Sequence, residues 1–229
     1  MHKYVIGNWK MQGSLAQNTA LIKALLQEET TLSGCHVVVC PPLVYLDSVQ
    51  RLLVRNLISL GAQDVSAQSS GAYTGQVSAN MLKEMGCQYG IVGHSERRQY
   101  QAESNAEVAE KSRQAISAGL IPIVCVSDDF EAQLAPVLNV EFKGLIAYEP
   151  LWAIGTGISA TPSQAEKAHK AIRQCLEKQG IQAPVVYGGS VKASNAEELG
   201  KMPNIDGFLV GGASLQATEF LDIIRKVIS

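Results

Sequence analysis

Short apolar runs alternate along the chain with amphipathic stretches of helical period. The runs are rich in Val, Ile and Leu and are bounded by Gly, Pro or polar residues, which favours β-strands. Eight such runs are predicted as strands: Lys3–Gly7, Val37–Cys40, Leu57–Leu60, Tyr89–Val92, Ile121–Val126, Leu145–Tyr148, Val185–Tyr187 and Phe208–Val210. Between most of them apolar residues recur every three or four positions, as in the C-terminal set Phe220, Leu221, Ile224 and Val227, which predicts helices.

This alternation of strand and helix determines the predicted fold class. Parallel strands need crossover connections, so eight β-α units favour a closed (β/α)8 barrel over an open doubly wound sheet. No linker, low-complexity tract or break in composition divides the sequence. We therefore expect an α/β protein that forms a single barrel domain over residues 1–229.

Polar residues mark several helix starts. A Ser or Thr followed three residues later by Gln or Glu can form a capping box, in which each side chain accepts a backbone N–H of the other residue. Four pairs fit this pattern: Ser14 with Gln17, Ser104 with Glu107, Thr161 with Gln164, and Ser194 with Glu197. Gly119 and Gly180 suit the left-handed position that follows a helix.

The fifth β-α unit has little sequence available for its helix. Only Ser127–Lys143 lies between the fifth strand and Gly144, and Pro136 interrupts the best helical stretch. Because proline removes a backbone donor and clashes with the preceding turn, we expect this helix to be short or distorted.

Composition and charge argue against several classes of function. The net charge is −2, with 19 basic and 21 acidic residues mixed along the chain, so neither nucleic acid nor an anionic membrane is an expected partner. No apolar run reaches the roughly 18 residues of a membrane span, and the N-terminal run is too short for a signal peptide. The five cysteines include no CxxC pair and are interpreted as reduced core residues of a cytoplasmic protein.

Polar residues stand where three of the predicted strands end. Asn8 and Lys10 follow the first strand, His94 the fourth and Glu149 the sixth. Active sites of such barrels lie at the C-terminal strand ends. Taken alone, Lys10 could be a surface lysine, His94 a hydrogen-bonded core imidazole, and Glu149 a helix cap. Because three separate strands end in complementary groups, we favour catalysis.

Glycine clusters follow the last three strands. They are Gly155 with Gly157, Gly188-Gly189-Ser190, and Gly211-Gly212-Ala213-Ser214. Glycine permits close backbone approach, and successive N–H groups can form a nest for a phosphate dianion. The apolar middle of Pro150–Gly157 is also typical of a lid that excludes water.

Seven short segments, in order along the chain, carry a family resemblance. The segments are Gly-Asn-Trp-Lys (7–10), Gly-Ala-Gln (61–63), Gly-Ala-Tyr-Thr-Gly (71–75), Gly-His-Ser-Glu-Arg-Arg (93–98), Ala-Tyr-Glu-Pro-Leu-Trp-Ala-Ile-Gly-Thr-Gly (147–157), Tyr-Gly-Gly-Ser (187–190) and Leu-Val-Gly-Gly-Ala-Ser-Leu (209–215). With them the chain resembles the triosephosphate isomerase family, whose members fold as TIM barrels. The resemblance implies interconversion of dihydroxyacetone phosphate and D-glyceraldehyde 3-phosphate through an enediolate, in glycolysis and gluconeogenesis, without a metal or organic cofactor.

The resemblance also implies roles for individual residues. Glu149 would be the base, His94 the electrophile at the carbonyl oxygens, and Lys10 with Asn8 would stabilise the developing oxyanion. The expected phosphate-binding residues are Gly155, Ser190, Gly211 and Gly212. Three more residues are expected to support the site: Ser95, Glu96 and Thr74. Thr74 lies in a loop that, in the family, inserts into a second subunit, so the expected partners are a phosphorylated triose and a second copy of the chain.

Two other functions compete with this interpretation. A metal-dependent sugar-phosphate epimerase would share the phosphate nest, but it would need His and Asp ligands at several strand ends. Of the four histidines, only His94 is well placed for such a site. A catalytically inactive phosphate-binding barrel is the other alternative, and the presence of Lys10, His94 and Glu149 argues against it.

Overall fold

The computed structural model describes residues 3–53, 57–138, 142–153 and 159–228. Its eight strands form a closed parallel barrel in sequence order, as the sequence predicted. The strands are β1 (Tyr4–Asn8), β2 (His36–Cys40), β3 (Ile58–Ala62), β4 (Tyr89–Val92), β5 (Ile121–Val126), β6 (Leu145–Tyr148), β7 (Val185–Tyr187) and β8 (Gly207–Val210). β4 to β7 have the predicted bounds. β2 and β8 begin one residue earlier than predicted. β1 and β3 begin one residue later and end later, because Asn8 pairs with Cys40 and Ala62 pairs with Gly90.

Helices connect the strands. They are α1 (Leu15–Leu26), α2 (Glu29–Leu32), α3 (Leu46–Gln50), α4 (Ala79–Glu84), α5 (Ser95–Gln101), α6 (Asn105–Ser117), α7 (Phe130–Leu134), α8 (Pro162–Lys178), α9 (Ala193–Gly200) and α10 (Ala217–Ile228). Short 3-10 helices span Leu43–Tyr45, Leu151–Ala153 and Gly212–Leu215. Nowhere in the described part of the chain is a helix long and apolar enough to cross a membrane.

Two of the four predicted capping boxes are confirmed, and a third pair caps its helix in one direction only. Ser14 accepts the Gln17 N–H at the start of α1, and reciprocal capping boxes begin α6 at Ser104 and α8 at Thr161. Gly119 and Gly180 have φ angles of 76° and 69° after their helices, also as predicted.

The predicted cap at Ser194 is wrong. The N-cap of α9 is Lys192, and Asn195 Oδ1 accepts the Lys192 N–H at 2.9 Å. Because this amide oxygen satisfies the first donor, the helix begins one residue before Ser194, which then lies within the first turn.

The fifth unit contains one short helix among its described residues. α7 spans five residues and ends before Pro136, in keeping with the helix-breaking effect of proline. Residues 139–141 of the same unit lie outside the described part of the chain. The expected shortening of the whole unit therefore stays a prediction.

Side chains of alternate parity divide the core into two layers. Residues such as Ile6, Ile91 and Ile123 fill the barrel interior, while their neighbours on the strands pack outward against the helices. All five cysteines are free thiols. Cys40 and Cys125 point into the interior, and burial raises the pKa of both thiols, which makes these two unreactive core groups.

Closure of the barrel depends on a close backbone approach between β1 and β8. Tyr4 pairs with Gly207, and the Tyr4 N–H donates to Asp206 O at 2.9 Å. Gly207 has a φ of +147°, and a Cβ built there would lie 1.9 Å from Tyr4 O. Only glycine fits this position without displacing the first strand.

We predict that Gly207→Ala lowers the free energy of unfolding by roughly 3 kcal/mol or more, because the clash is with backbone and cannot be relieved by a rotamer change. Gly180→Ala is the matched control: its φ is +69°, but nothing lies within 4 Å of the added Cβ, so it should cost only about 1–2 kcal/mol. Urea unfolding of both variants measures the difference, and equal losses would contradict the prediction.

His169 is fully buried on α8 against the rings of Tyr148 and Tyr187. Its Nδ1 lies 3.3 Å from Asn204 O. Burial lowers its pKa to about 4, although the hydrogen bond with the Asn204 carbonyl and the charge of Asp206 both act to raise it. The folded protein therefore holds a neutral imidazole at pH values where the unfolded chain is already protonated.

This difference predicts acid destabilisation. The unfolded chain takes up the His169 proton near pH 6.5 and the folded protein only near pH 4, so stability falls as the pH drops through this window, by roughly 3 kcal/mol in total. His169→Asn should flatten the dependence of unfolding free energy on pH between 6.5 and 4, whatever its absolute stability. A variant that kept the wild-type slope would contradict this assignment.

Candidate active site

Three strand ends bring the predicted catalytic side chains to one cavity. Asn8 ends β1 and Lys10 follows it, His94 follows β4 and Glu149 follows β6. All four line a cavity of about 250 Å³ at the C-terminal edge of the barrel. The first, fourth and sixth strands are separated in sequence but meet at this edge because the sheet is closed and parallel.

Glu149 is the most constrained of these side chains. It is 3% exposed, and its backbone N–H donates to Val126 O at 2.7 Å, which continues the β5–β6 pairing. Its Oε1 lies 2.9 Å from His94 Nε2, and its Oε2 accepts the Ser95 backbone N–H at 2.9 Å. Both carboxylate oxygens are therefore held by residues of the loop after β4.

The tautomer of His94 follows from its position at the N-cap of α5. Its Nδ1 accepts the Glu96 backbone N–H at 3.2 Å, so the ring proton of the neutral imidazole is on Nε2, which faces Glu149. Burial lowers the pKa of His94, but the adjacent Glu149 carboxylate, together with Glu96, outweighs burial and raises it overall. The contact with Glu149 thus favours the charged ring, whereas the helix N–H favours the neutral one.

Lys10 enters the cavity from a strained backbone. Its φ is +53°, and its N–H donates to Asn8 Oδ1 at 3.0 Å. Its ammonium bonds Glu96 Oε1 at 2.6 Å, and Gln63 Nε2 donates to Lys10 O at 2.9 Å. Because a non-glycine residue is unfavourable at positive φ, these bonds hold a conformation that the chain alone would avoid.

Gln63 was not among the predicted site residues. It also donates to Cys40 O at 2.8 Å, so it joins the ends of β2 and β1. The sequence carried a signal, since Gln63 directly follows β3 in the same way that Glu149 follows β6. The Lys10–Glu96 ion pair had no such signal, because 86 residues separate its members.

The glycine-rich loops also line the cavity. Ser190, Gly211 and Gly212 are among its lining residues, and a Cβ built at Gly211 would lie 3.4 Å from Lys10 Cε. A Cβ at Gly188 would lie 2.9 Å from Glu149 Cγ, and one at Gly189 only 2.1 Å from Tyr187 Oη. Glycine is therefore required at Gly188 and Gly189 by close approach.

Two predicted features are not found at the cavity. Gly155 and the rest of residues 154–158 lie outside the described part of the chain, so the predicted lid is described only at residues 150–153, where Leu151 and Trp152 are exposed. Thr74 is exposed in the loop between β3 and α4 and does not line the cavity of its own chain.

No cluster of three or more His, Cys, Asp or Glu side chains suited to a metal ion occurs among the residues that the structure describes. The ligand set that a metal-dependent epimerase would need is therefore not found there.

Comparison with known proteins identifies the family. The sequence model of triosephosphate isomerase matches residues 3–227. The triosephosphate isomerase of Bordetella pertussis is 50% identical, with 96% of each chain aligned. The chain belongs to the triosephosphate isomerase family. Two further triosephosphate isomerases are similar to this chain. The one from Serratia proteamaculans is 48% identical over 98% of this chain and 96% of the relative, and the one from Xanthomonas campestris pv. campestris is 46% identical over 97% of each.

Membership of the triosephosphate isomerase family makes this chain an isomerase. The matched range encloses every residue of the cavity from Asn8 to Ala213. The resemblance seen in seven short segments is thus confirmed over nearly the whole sequence.

Proposed function

We propose that this member of the triosephosphate isomerase family interconverts dihydroxyacetone phosphate and D-glyceraldehyde 3-phosphate at the cavity that contains Glu149 and His94. One observation carries the assignment of the site: a buried carboxylate and an imidazole Nε2 lie 2.9 Å apart in the same cavity as two glycine-rich loops. A base, a proton donor and an anion nest are the three elements that a phosphorylated carbonyl substrate needs.

Glu149 moves the proton between the two carbons. It removes a proton from the carbon beside the carbonyl, the C–H electrons form the C=C bond of an enediolate, and the carbonyl oxygen becomes an oxyanion. Glu149 then returns the proton to the carbon that held the carbonyl, while the hydroxyl proton of the first carbon passes through His94 to the oxyanion, so that the carbonyl now lies on the first carbon. The reaction is an internal redox exchange between two carbons, so no external oxidant or reductant takes part.

His94 acts on the oxygen atoms of the substrate. Its Nε2 is the protonated nitrogen in the neutral tautomer, because Nδ1 accepts the Glu96 N–H, and it can therefore donate to the developing oxyanion. Substrate must enter between His94 and Glu149, which touch in the structure. Since that contact raises the pKa of His94, its loss on binding shifts the ring towards the neutral form that the mechanism uses.

Lys10 supplies a positive charge and Asn8 an amide dipole, and both stabilise the oxyanion. The Lys10 side chain passes beside Gly211, so one ammonium can act on both the oxyanion and the phosphate. Ser190, Gly211, Gly212 and Gly155 are the proposed N–H donors to the phosphate, while Ser95 and Glu96 fix the base and the lysine.

We further infer that residues 1–229 form a single cytoplasmic domain that acts in glycolysis and gluconeogenesis without a cofactor. The free cysteines support a reducing compartment. The proposed substrate is a small phosphorylated triose, and neither nucleic acid nor a membrane is a proposed partner.

Glu149→Asp tests the base. The shorter side chain withdraws the carboxylate from the substrate carbon by about one bond length, so we expect kcat to fall roughly a hundredfold or more. The measurement is isomerase activity in both directions in an assay coupled to a dehydrogenase. Glu177→Asp, on the surface of α8, is the matched control and should keep full activity. Near-wild-type activity in Glu149→Asp would refute the assignment.

A homodimer is the proposed assembly. Large apolar side chains are exposed on the loops and helices that follow the first four strands: Met11, Leu43, Val44, Tyr73, Met81 and Tyr100. Met11 is 95% exposed and Val44 78%. A concentrated set of this kind on one part of the surface is typical of a protein–protein interface. A second copy that covered it would bring Thr74 towards the partner's site.

Tyr73→Asp should dissociate the proposed dimer, because it places a charge in an apolar interface. We expect a monomer by size exclusion with light scattering and a large loss of activity. Ile121→Asp is the control, since Ile121 is an exposed apolar residue at the start of β5, at the opposite end of the barrel. A wild-type chain that is monomeric and fully active would rule out the dimer as a requirement.

A further inference from the structure

Three polar residues form a hydrogen-bonded triangle behind the loop that carries Ser190. Ser159 Oγ donates to Ser190 O at 2.6 Å. Asn195 Nδ2 donates to the same carbonyl at 3.0 Å and to Ser159 Oγ at 2.7 Å. The triangle thus joins the β6–α8 connection, the β7–α9 loop and the first turn of α9.

Both polar atoms of the Asn195 side-chain amide are hydrogen-bonded. Its oxygen accepts the Lys192 N–H at 2.9 Å, and its nitrogen makes both bonds of the triangle. Because Lys192 O in turn accepts the Asn195 and Ala196 N–H groups, the side chain is held on a helix end rather than on a free loop. It is a fixed anchor for the Ser190 carbonyl.

The loop needs such an anchor because of its glycines. Gly188 and Gly189 cannot carry a Cβ, since one would lie 2.9 Å from Glu149 Cγ and 2.1 Å from Tyr187 Oη. Glycine is also the residue with the greatest backbone freedom. The glycines thus allow the loop to lie close to the cavity, but they also make its backbone more flexible. If the loop became ordered only when an anion bound, the entropy cost of that ordering would weaken the binding.

We propose that Asn195 and Ser159 are positioning residues that hold the Ser190 loop in its phosphate-binding conformation. This inference rests on the proposed function, because it concerns the same phosphate site. Neither residue lines the cavity, so each acts through the Ser190 carbonyl and not by touching substrate. The consequence is that phosphate affinity depends on a side chain from α9 and one from the β6–α8 connection.

Ser159→Val and Ser159→Thr form an isosteric pair that differs only in the hydroxyl. We expect Ser159→Val to weaken binding of inorganic phosphate, measured by calorimetry, by roughly fivefold, the scale of one or two neutral hydrogen bonds. KM for the triose phosphate should rise by the same factor with kcat little changed, since binding is lost equally from ground and transition state. Ser159→Thr should restore both.

Asn195→Asp provides an independent test, because it keeps the oxygen that caps Lys192 but loses both donors. Ser194→Asp is its control: it adds the same charge one residue away, at an exposed position without a bond in the triangle. We expect phosphate binding to weaken in Asn195→Asp well beyond Ser194→Asp, with similar unfolding midpoints.

The outcomes separate this inference from the proposed function. Equal phosphate affinity in Ser159→Val and Ser159→Thr, or in Asn195→Asp and Ser194→Asp, would overturn the positioning role while isomerase activity remained. If Ser159→Val fails to fold, the aspartate pair decides. Wild-type protein that binds phosphate but lacks isomerase activity would refute the proposed function and leave the positioning role to be judged by calorimetry alone.

Discussion

Closure of β1 against β8 is the constraint on which the rest of the structure depends. Tyr4 to Gly7 pair with Gly207 to Val210, and this pairing places the strand end that carries Lys10 beside the glycine loop that begins at Gly211. The distance between Lys10 Cε and the Cβ position of Gly211 is only 3.4 Å. An open sheet with the same elements would leave Lys10 and the glycine loop at opposite edges.

The charged groups of the cavity are paired at short range. His94 and Glu149 contact each other, and the Lys10 ammonium is paired with Glu96. In the proposed mechanism, substrate enters between His94 and Glu149 and replaces their contact with its own carbon and oxygen. The proposed base and proton donor would then be separated by the reacting atoms, and fixed protein groups rather than water would stabilise their charges.

Most of the fold could be predicted because it depends on local pattern. The bounds of β4 to β7 and the caps at Ser104 and Thr161 follow from period, propensity and a three-residue spacing. The cap of α9 was placed wrongly because Ser194 and Asn195 both favour helix starts, and only the fold decides which side chain meets Lys192. Strand ends likewise indicated Asn8, His94 and Glu149, whereas the Lys10–Glu96 pair depends on tertiary geometry.

The loop that carries Ser190 shows why the glycines could be predicted from the sequence and their supporting residues could not. Gly188 and Gly189 stand out at a strand end, but glycine also makes the backbone more flexible, and the proposed phosphate site needs N–H donors that are already in position. The compensating bonds come from Ser159 and Asn195, one 31 residues and one five residues from Ser190. Ordinary Ser and Asn residues carry no pattern of their own, so their importance emerges only from the carbonyl that they share.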